Sequence, residues 1–128
     1  INSKALKEFK NYESIIKSKV DLENYKINNI LIGDLIYDSF LKKTLYPTLD
    51  INSIEFKDFF LDSLKLFYFW QNYFKTHDIK SLVLYHSVYI SALPLRFAVV
   101  KKIPTYVFNL DRLYNLNNER KFYGLEYF

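Results

Sequence analysis

The run Ser81-Leu82-Val83-Leu84-Tyr85-His86-Ser87, then Ala92 to Lys102, then Pro104-Thr105-Tyr106-Val107-Phe108-Asn109, decides the fold class. The first stretch is a short apolar run, the pattern of a buried strand. Ala92 to Lys102 reads as a helix. Pro94 is tolerated in its first turn, where an amide N–H has no intrahelical acceptor to lose. The second apolar run reads as a strand with Pro104 at its first position. A strand, a helical crossover and a second strand make a βαβ unit, whose strands are parallel and joined right-handedly. The expected class is α/β.

Upstream, residues 53–76 carry a strong helical pattern. Asn52 with Glu55 three residues later forms a capping-box arrangement. Phe56, Phe59, Phe60, Leu64, Phe67, Trp70 and Phe74 recur at helical spacing, and Leu61 and Tyr68 widen the stripe. A stripe that wide needs cover on most sides, so its rings are expected in the core, although they could also form a stacking platform. Residues 3–19 read as one amphipathic helix with Leu6, Phe9, Ile16 and either Tyr12 or Glu13 on one face. Asn28-Asn29 marks a turn. Ile30-Leu31-Ile32 is a short apolar run closed by Gly33. Asp34 suits the N-cap of a helix from Leu35 to Lys43. Leu110 to Phe128 has no clean period and reads as helix or irregular structure. Residues 1–77 are thus expected to be mainly helical, and residues 78–128 to form a small parallel Rossmann-like βαβ part. Together they make one domain or a fragment of one.

Composition excludes several function classes. The 128 residues include 12 Phe, 12 Tyr and 1 Trp, and half are hydrophobic, which rules out general disorder. With no cysteine there is no disulfide framework, thiolate metal site or Cys nucleophile. The 18 basic and 14 acidic residues give +4, spread as +1, +1 and +2 over residues 1–50, 51–100 and 101–128. A nucleic-acid binder concentrates its basic groups, so no nucleic-acid partner is expected. No run approaches the ~20 apolar residues of a membrane-spanning helix. The chain starts at Ile1 without an initiator Met or a signal-peptide pattern, as expected of a piece of a longer cytoplasmic protein. Glycine-rich phosphate loops, a zinc-binding H-E-x-x-H and a nucleophile elbow are all missing from the sequence. Two histidines and no cysteine argue against a transition-metal site.

Ligands of open α/β sheets bind beyond the carboxyl ends of the strands. His86, Ser87 and Tyr89 follow the first strand there, and Asn109, Asp111 and Arg112 the second. His86 could serve as a general base or bond a sugar or phosphate oxygen; the plain alternative is a histidine that caps the following helix. Asp34 and Asp38 lie four apart, neighbours on one helix face. With Tyr37 they could bind sugar hydroxyls, hold a metal or act as acid and base; alternatively Asp34 only caps and Asp38 is solvated. Arg96 is either an anion ligand or an exposed helix charge. Lys42-Lys43 and Lys101-Lys102 suit helix C-terminal ends; the other reading for them is a phosphate-binding role.

Two stretches resemble bacterial surface-polysaccharide (capsule or lipopolysaccharide) biosynthesis proteins. Ile30-Leu31-Ile32-Gly33-Asp34-Leu35-Ile36-Tyr37-Asp38-Ser39-Phe40-Leu41 is similar to their "IGDLIYDSYLR" segment. The run from Leu82 to Arg96 resembles "LSHSVYISGLPLR", and Lys102-Ile103-Pro104-Thr105-Tyr106 takes the place of "GIPVY". Ala92 and Lys102 stand where those runs carry Gly. The resemblance covers residues 30–110. It implies a two-domain, GT-B-like glycosyltransferase in which the N-terminal half holds the acceptor and the other half binds the nucleotide sugar. This chain would be most of the acceptor-side domain. His86 would be the catalytic base or an oxyanion ligand, and Asp34, Tyr37, Asp38, Ser87, Tyr89, Arg96 and Asn109 would contact substrate. No cofactor is expected in this portion; the nucleotide-sugar donor belongs to the full-length protein. The implied partners are a sugar or glycan acceptor and a second Rossmann-like domain. The implied location is cytoplasmic, with contact at the inner face of the membrane left open. The other reading is a non-catalytic module that docks a partner domain through its aromatic helices.

Overall fold

A computed structural model describes residues 1–109 and 112–117. It is an α/β structure with a small three-stranded mixed sheet.

Residues 3–19 do not form one helix. They divide into α1 (Asn2–Phe9), α2 (Tyr12–Ile15) and the start of α3 (Lys19–Glu23). The reason is tertiary. Tyr12 is turned into the core, where its ring meets Phe60 edge-on at 4.8 Å and its hydroxyl donates to the Ile51 carbonyl at 2.6 Å. Ile16 is extended and buried. Ser18 then restarts the helix, its Oγ accepting from the Asp21 amide.

A two-residue hairpin follows, β1 (Lys26–Ile27) pairing antiparallel with β2 (Ile30–Leu31). Asn28 and Asn29 at its tip have φ of 51° and 65°. Two left-handed residues in sequence are what a type I′ turn demands, and Asn tolerates them better than most residues.

Helix α4 (Gly33–Thr44) starts before Leu35. Asp34 therefore lies inside its first turn; the capping position belongs to Ile32, which has no capping side chain. Gly33 is required by space: a Cβ there would run into the Leu22 carbonyl of α3. The helix closes on Leu45, left-handed at φ 58°, with Lys42 and Lys43 in the last turn beside the negative end of the helix dipole.

Helix α5 (Ile54–Thr76) is capped by Ser53, whose Oγ accepts from the Phe56 amide at 3.2 Å. Asn52 instead donates its amide to Asp50 Oδ1. Phe56, Phe60, Leu64, Phe67 and Phe74 are buried, as the stripe demands, and Trp70 is partly buried. Phe60 alone meets the rings of Phe9, Tyr12, Tyr25 and Phe56.

β3 (Leu82–Leu84) and β4 (Thr105–Asn109) pair in parallel, Leu82 opposite Thr105 and Leu84 opposite Val107. Between them run a single 3-10 turn (Ile90–Ala92) and α6 (Leu93–Val100). The βαβ unit read from the sequence is therefore present. What the sequence did not announce is β5 (Arg112–Leu116), antiparallel to β4. Its alternation runs from exposed Leu113 to buried Leu116. Over 112–116 the expected helix or irregular segment is thus a strand.

β3 is also not a buried strand. Helix α6 covers one face of the sheet, where Leu95 and Val99 pack on Val107, Leu116, Leu82 and Leu84. On the other face Val83, Tyr85, Phe108 and Leu113 are exposed. A larger core runs from Ala5 through α4 and α5 to Ala98 of α6.

Candidate functional site

Helix α4 and the segment leading into α6 meet. At one end Arg96, only 2% exposed, grips Asp34 with both terminal nitrogens, Nη1 to Oδ1 at 2.5 Å and Nη2 to Oδ2 at 2.6 Å. Arg96 Nη1 also donates to the Leu31 carbonyl of β2 at 2.7 Å. Such a two-pronged guanidinium–carboxylate bond fixes orientation as well as distance. Arg96 is therefore not an exposed helix charge.

One turn further on, the Asp38 side chain reaches solvent. Partial desolvation, then the Asp34 and Glu23 carboxylates, push its carboxyl above the usual range. The Tyr37 ring lies under the Lys19 ammonium, 4.6 Å from its centroid. Its hydroxyl in turn holds Lys19 above the usual ammonium range.

Two further contacts tie α4 to the loop after β3. Ser39 Oγ accepts from the Ile90 amide at 2.6 Å, and Lys42 Nζ sits 4.1 Å above the Tyr89 ring. Between these anchors Tyr89 takes φ 62° and ψ 172°, a conformation that is nearly glycine's alone and costs ~1–3 kcal/mol. Ser87 is buried at 1% exposure, and its Oγ has no hydrogen-bond partner among the described residues.

Among the described residues no hydrogen bond or ion pair links His86 to Asp34 or Asp38. It is exposed just beyond the carboxyl end of β3, its ring edge-on to Tyr85 at 4.3 Å. Tyr85 in turn lies 6.2 Å from Phe108 of β4. Asn109 is the last residue of β4, opposite Arg112 in the register. Asp111 lies outside the described residues.

The structure thus makes two groups of the sequence candidates. One joins Arg96 to Asp34 in the first turn of α4, with Tyr37 and Asp38 just beyond it, while Tyr89 meets the last turn through Lys42. The other places His86 and Asn109 at the strand ends. Three residues were not singled out in the sequence, Ser39, Tyr85 and Phe108, and Lys42 was read only as a helix-end charge or phosphate ligand. Lys42 follows Asp34 and Asp38 at the same four-residue step, which puts it on their face of the helix. Tyr85 adjoins His86. Ser39 and Phe108 carried no such signal.

Chemically, the strand-end group offers an accessible imidazole beside the flat ring of Tyr85, which in turn meets Phe108. The α4 group offers one solvent-facing carboxyl, Asp38, while both Asp34 oxygens accept from Arg96. Among the described residues no three His, Asp or Glu side chains gather as metal ligands would, and no helix is long and apolar enough to cross a membrane. Comparison with protein-family models, with curated proteins and with solved structures finds no match for this chain.

Proposed function

We propose that the chain is the acceptor-side, Rossmann-like portion of a nucleotide-sugar-dependent glycosyltransferase of bacterial surface-polysaccharide synthesis, working at the cytoplasmic side of the membrane. The observation that carries the reading is His86 beyond the carboxyl end of a parallel strand pair, with the exposed ring of Tyr85 beside it and that of Phe108 against Tyr85. Sugar recognition wants flat apolar faces beside a few placed polar groups. In this reading a sugar ring of the acceptor stacks on Tyr85 or Phe108. The His86 imidazole takes the proton of the acceptor hydroxyl as that oxygen attacks the anomeric carbon of the donor. The nucleoside diphosphate leaves with the electrons of the broken bond. Donor binding belongs to the second Rossmann-like half, and Asp38 accepts a hydrogen bond from an acceptor hydroxyl.

The test is turnover of nucleotide sugars by the full-length protein and by its His86→Ala variant. Loss of a general base lowers turnover by about 10²–10⁴-fold. The melting temperature should hold, because His86 is exposed. A variant that melts lower yet keeps its activity per folded molecule overturns the reading. Asp38→Asn should raise the acceptor KM more than it lowers kcat.

A second reading, a non-catalytic docking module, is favoured by one feature of α5. Phe69, Tyr73 and His77 form an exposed ladder, with Tyr73 and His77 stacked at 3.9 Å and Phe69 and Tyr73 at 6.1 Å. Partner capture that survives His86→Ala and fails in Phe69→Ser/Tyr73→Ser would select it.

A further inference from the structure

At the far end of α6 from His86 lies a groove of about 450 Å³, within the size range of small-molecule sites. Three elements each send a lysine to the groove: Lys4 from α1, Lys75 from the last turn of α5 and Lys101 from the end of α6. Among the described residues no acidic side chain lines it, and none of the three lysines is in an ion pair. The carboxamides of Asn28, Gln71 and Asn72 line the same groove.

We infer that this groove binds a phosphorylated saccharide, the phosphate held among Lys4, Lys75 and Lys101 and the ring hydroxyls bonded by Asn28, Gln71 and Asn72. Lysine ammonium groups act as point charges toward phosphate. A carboxamide both donates and accepts, which matches a hydroxyl. Three cations gathered in one concavity with no anion to answer them repel one another until a ligand of opposite charge arrives. Two of the lysines also sit at helix C-termini, where a cation is favourable without any ligand. That purely structural role gives the opposite experimental outcome.

The experiment is calorimetric titration of the 128-residue chain with glucose 1-phosphate, inorganic phosphate and glucose, at low and at physiological salt. The expected order is glucose 1-phosphate tightest, inorganic phosphate weaker and glucose undetectable. Lys75→Gln/Lys101→Gln should weaken glucose 1-phosphate binding by at least tenfold, the usual scale for losing a hydrogen bond to a charged group. Absence of binding, equal binding of phosphate and the sugar phosphate, or affinity unchanged in the double variant each overturns the proposal. If the double variant melts lower, amide shift changes at Asn72 and Val100 of the unaltered chain on adding glucose 1-phosphate decide the matter. Shifts confined to other residues overturn it. The result is independent of transferase activity, since no donor is present.

Discussion

Asp34 and Arg96 are 62 residues apart in the chain and joined by two hydrogen bonds, one from each terminal guanidinium nitrogen. The pair pins the first turn of α4 to α6, and through the Leu31 carbonyl it also pins β2. Removing one partner from a buried pair is worse than removing both, because a lone charge stays behind in a poor solvent. Asp34→Ala should therefore cost ~3–5 kcal/mol, measured by urea unfolding. Asp34→Leu/Arg96→Met should recover most of the loss. A double variant as unstable as the single one would mean that the pair contributes net attraction beyond shape.

Three backbone positions should respond to substitution, one in the opposite direction from the other two. Gly33→Ala forces a methyl against the Leu22 carbonyl, so α3 or α4 must shift, and the unfolding midpoint should fall clearly. Leu45 and Lys102 both take φ 58° while exposed. Leu45→Gly and Lys102→Gly should each stabilise by ~1 kcal/mol, because the left-handed region costs L residues about that much. Thermal melts of the three variants check this directly. The Gly that the resemblance places at Lys102 thus has a physical role. At Ala92, with φ −85°, it has none.

Stability should depend on pH at both ends of the range. The Asp38 carboxyl is raised in the fold, first by desolvation and then by Asp34. The folded state therefore holds that proton more tightly than the unfolded chain. Its contribution is largest below about pH 4, the unfolded value, and is lost as pH rises through the folded one. Asp38→Asn should stabilise at pH 7 and make no difference well below pH 4. Tyr25 is also raised, by burial and then by its 2.6 Å bond to Glu8 Oε1, and Tyr12 is raised by burial and Asp50. Both phenols hold their protons in the fold, so stability should fall above about pH 10, where unfolded tyrosines ionise. Melting curves across pH 3–11 on the Asp38→Asn and Tyr25→Phe variants test both signs.

The α5 stripe divides sharply by cover. Phe60 is 1% exposed and Phe69 44%. Phe60→Ala should cost ~3–5 kcal/mol. Phe69→Ala should stay within about 1 kcal/mol, as exposed substitutions do. Equal losses in denaturant titrations would mean that Phe69 is covered in solution.

The legible parts of this fold were those whose cause is local. Helix α5 announces itself by the spacing of its rings, and the β3–α6–β4 unit by two apolar runs around a helical one. The cap of α5 moved by one residue because Asn52 and Ser53 are both good caps, and only Ser53 has its oxygen at the Phe56 amide. The break between α1 and α2 was not legible, since it exists to bury Tyr12 against residues some forty positions away. In the candidate site, the approach of α4 to the Tyr89 segment has its cause far away in the chain. Its means were hidden. The Ser39–Ile90 bond spans 51 residues, and neither partner carries a pattern that names the other.

That same separation bears on the order in which the molecule assembles. Helix α5 and the β4–β5 hairpin draw on neighbours in sequence and can form within microseconds. The bonds from Arg96 to Asp34 and Leu31 and from Ile90 to Ser39 close loops of 51 to 65 residues, an entropic cost met before any reward is collected. Burial of the Arg96 charge is therefore expected late in folding. Stopped-flow refolding of Asp34→Ala should show faster unfolding with little change in the folding rate, the signature of a contact absent from the transition state. A clamp of that kind sets how long the folded state lasts and leaves the speed of reaching it to the helices.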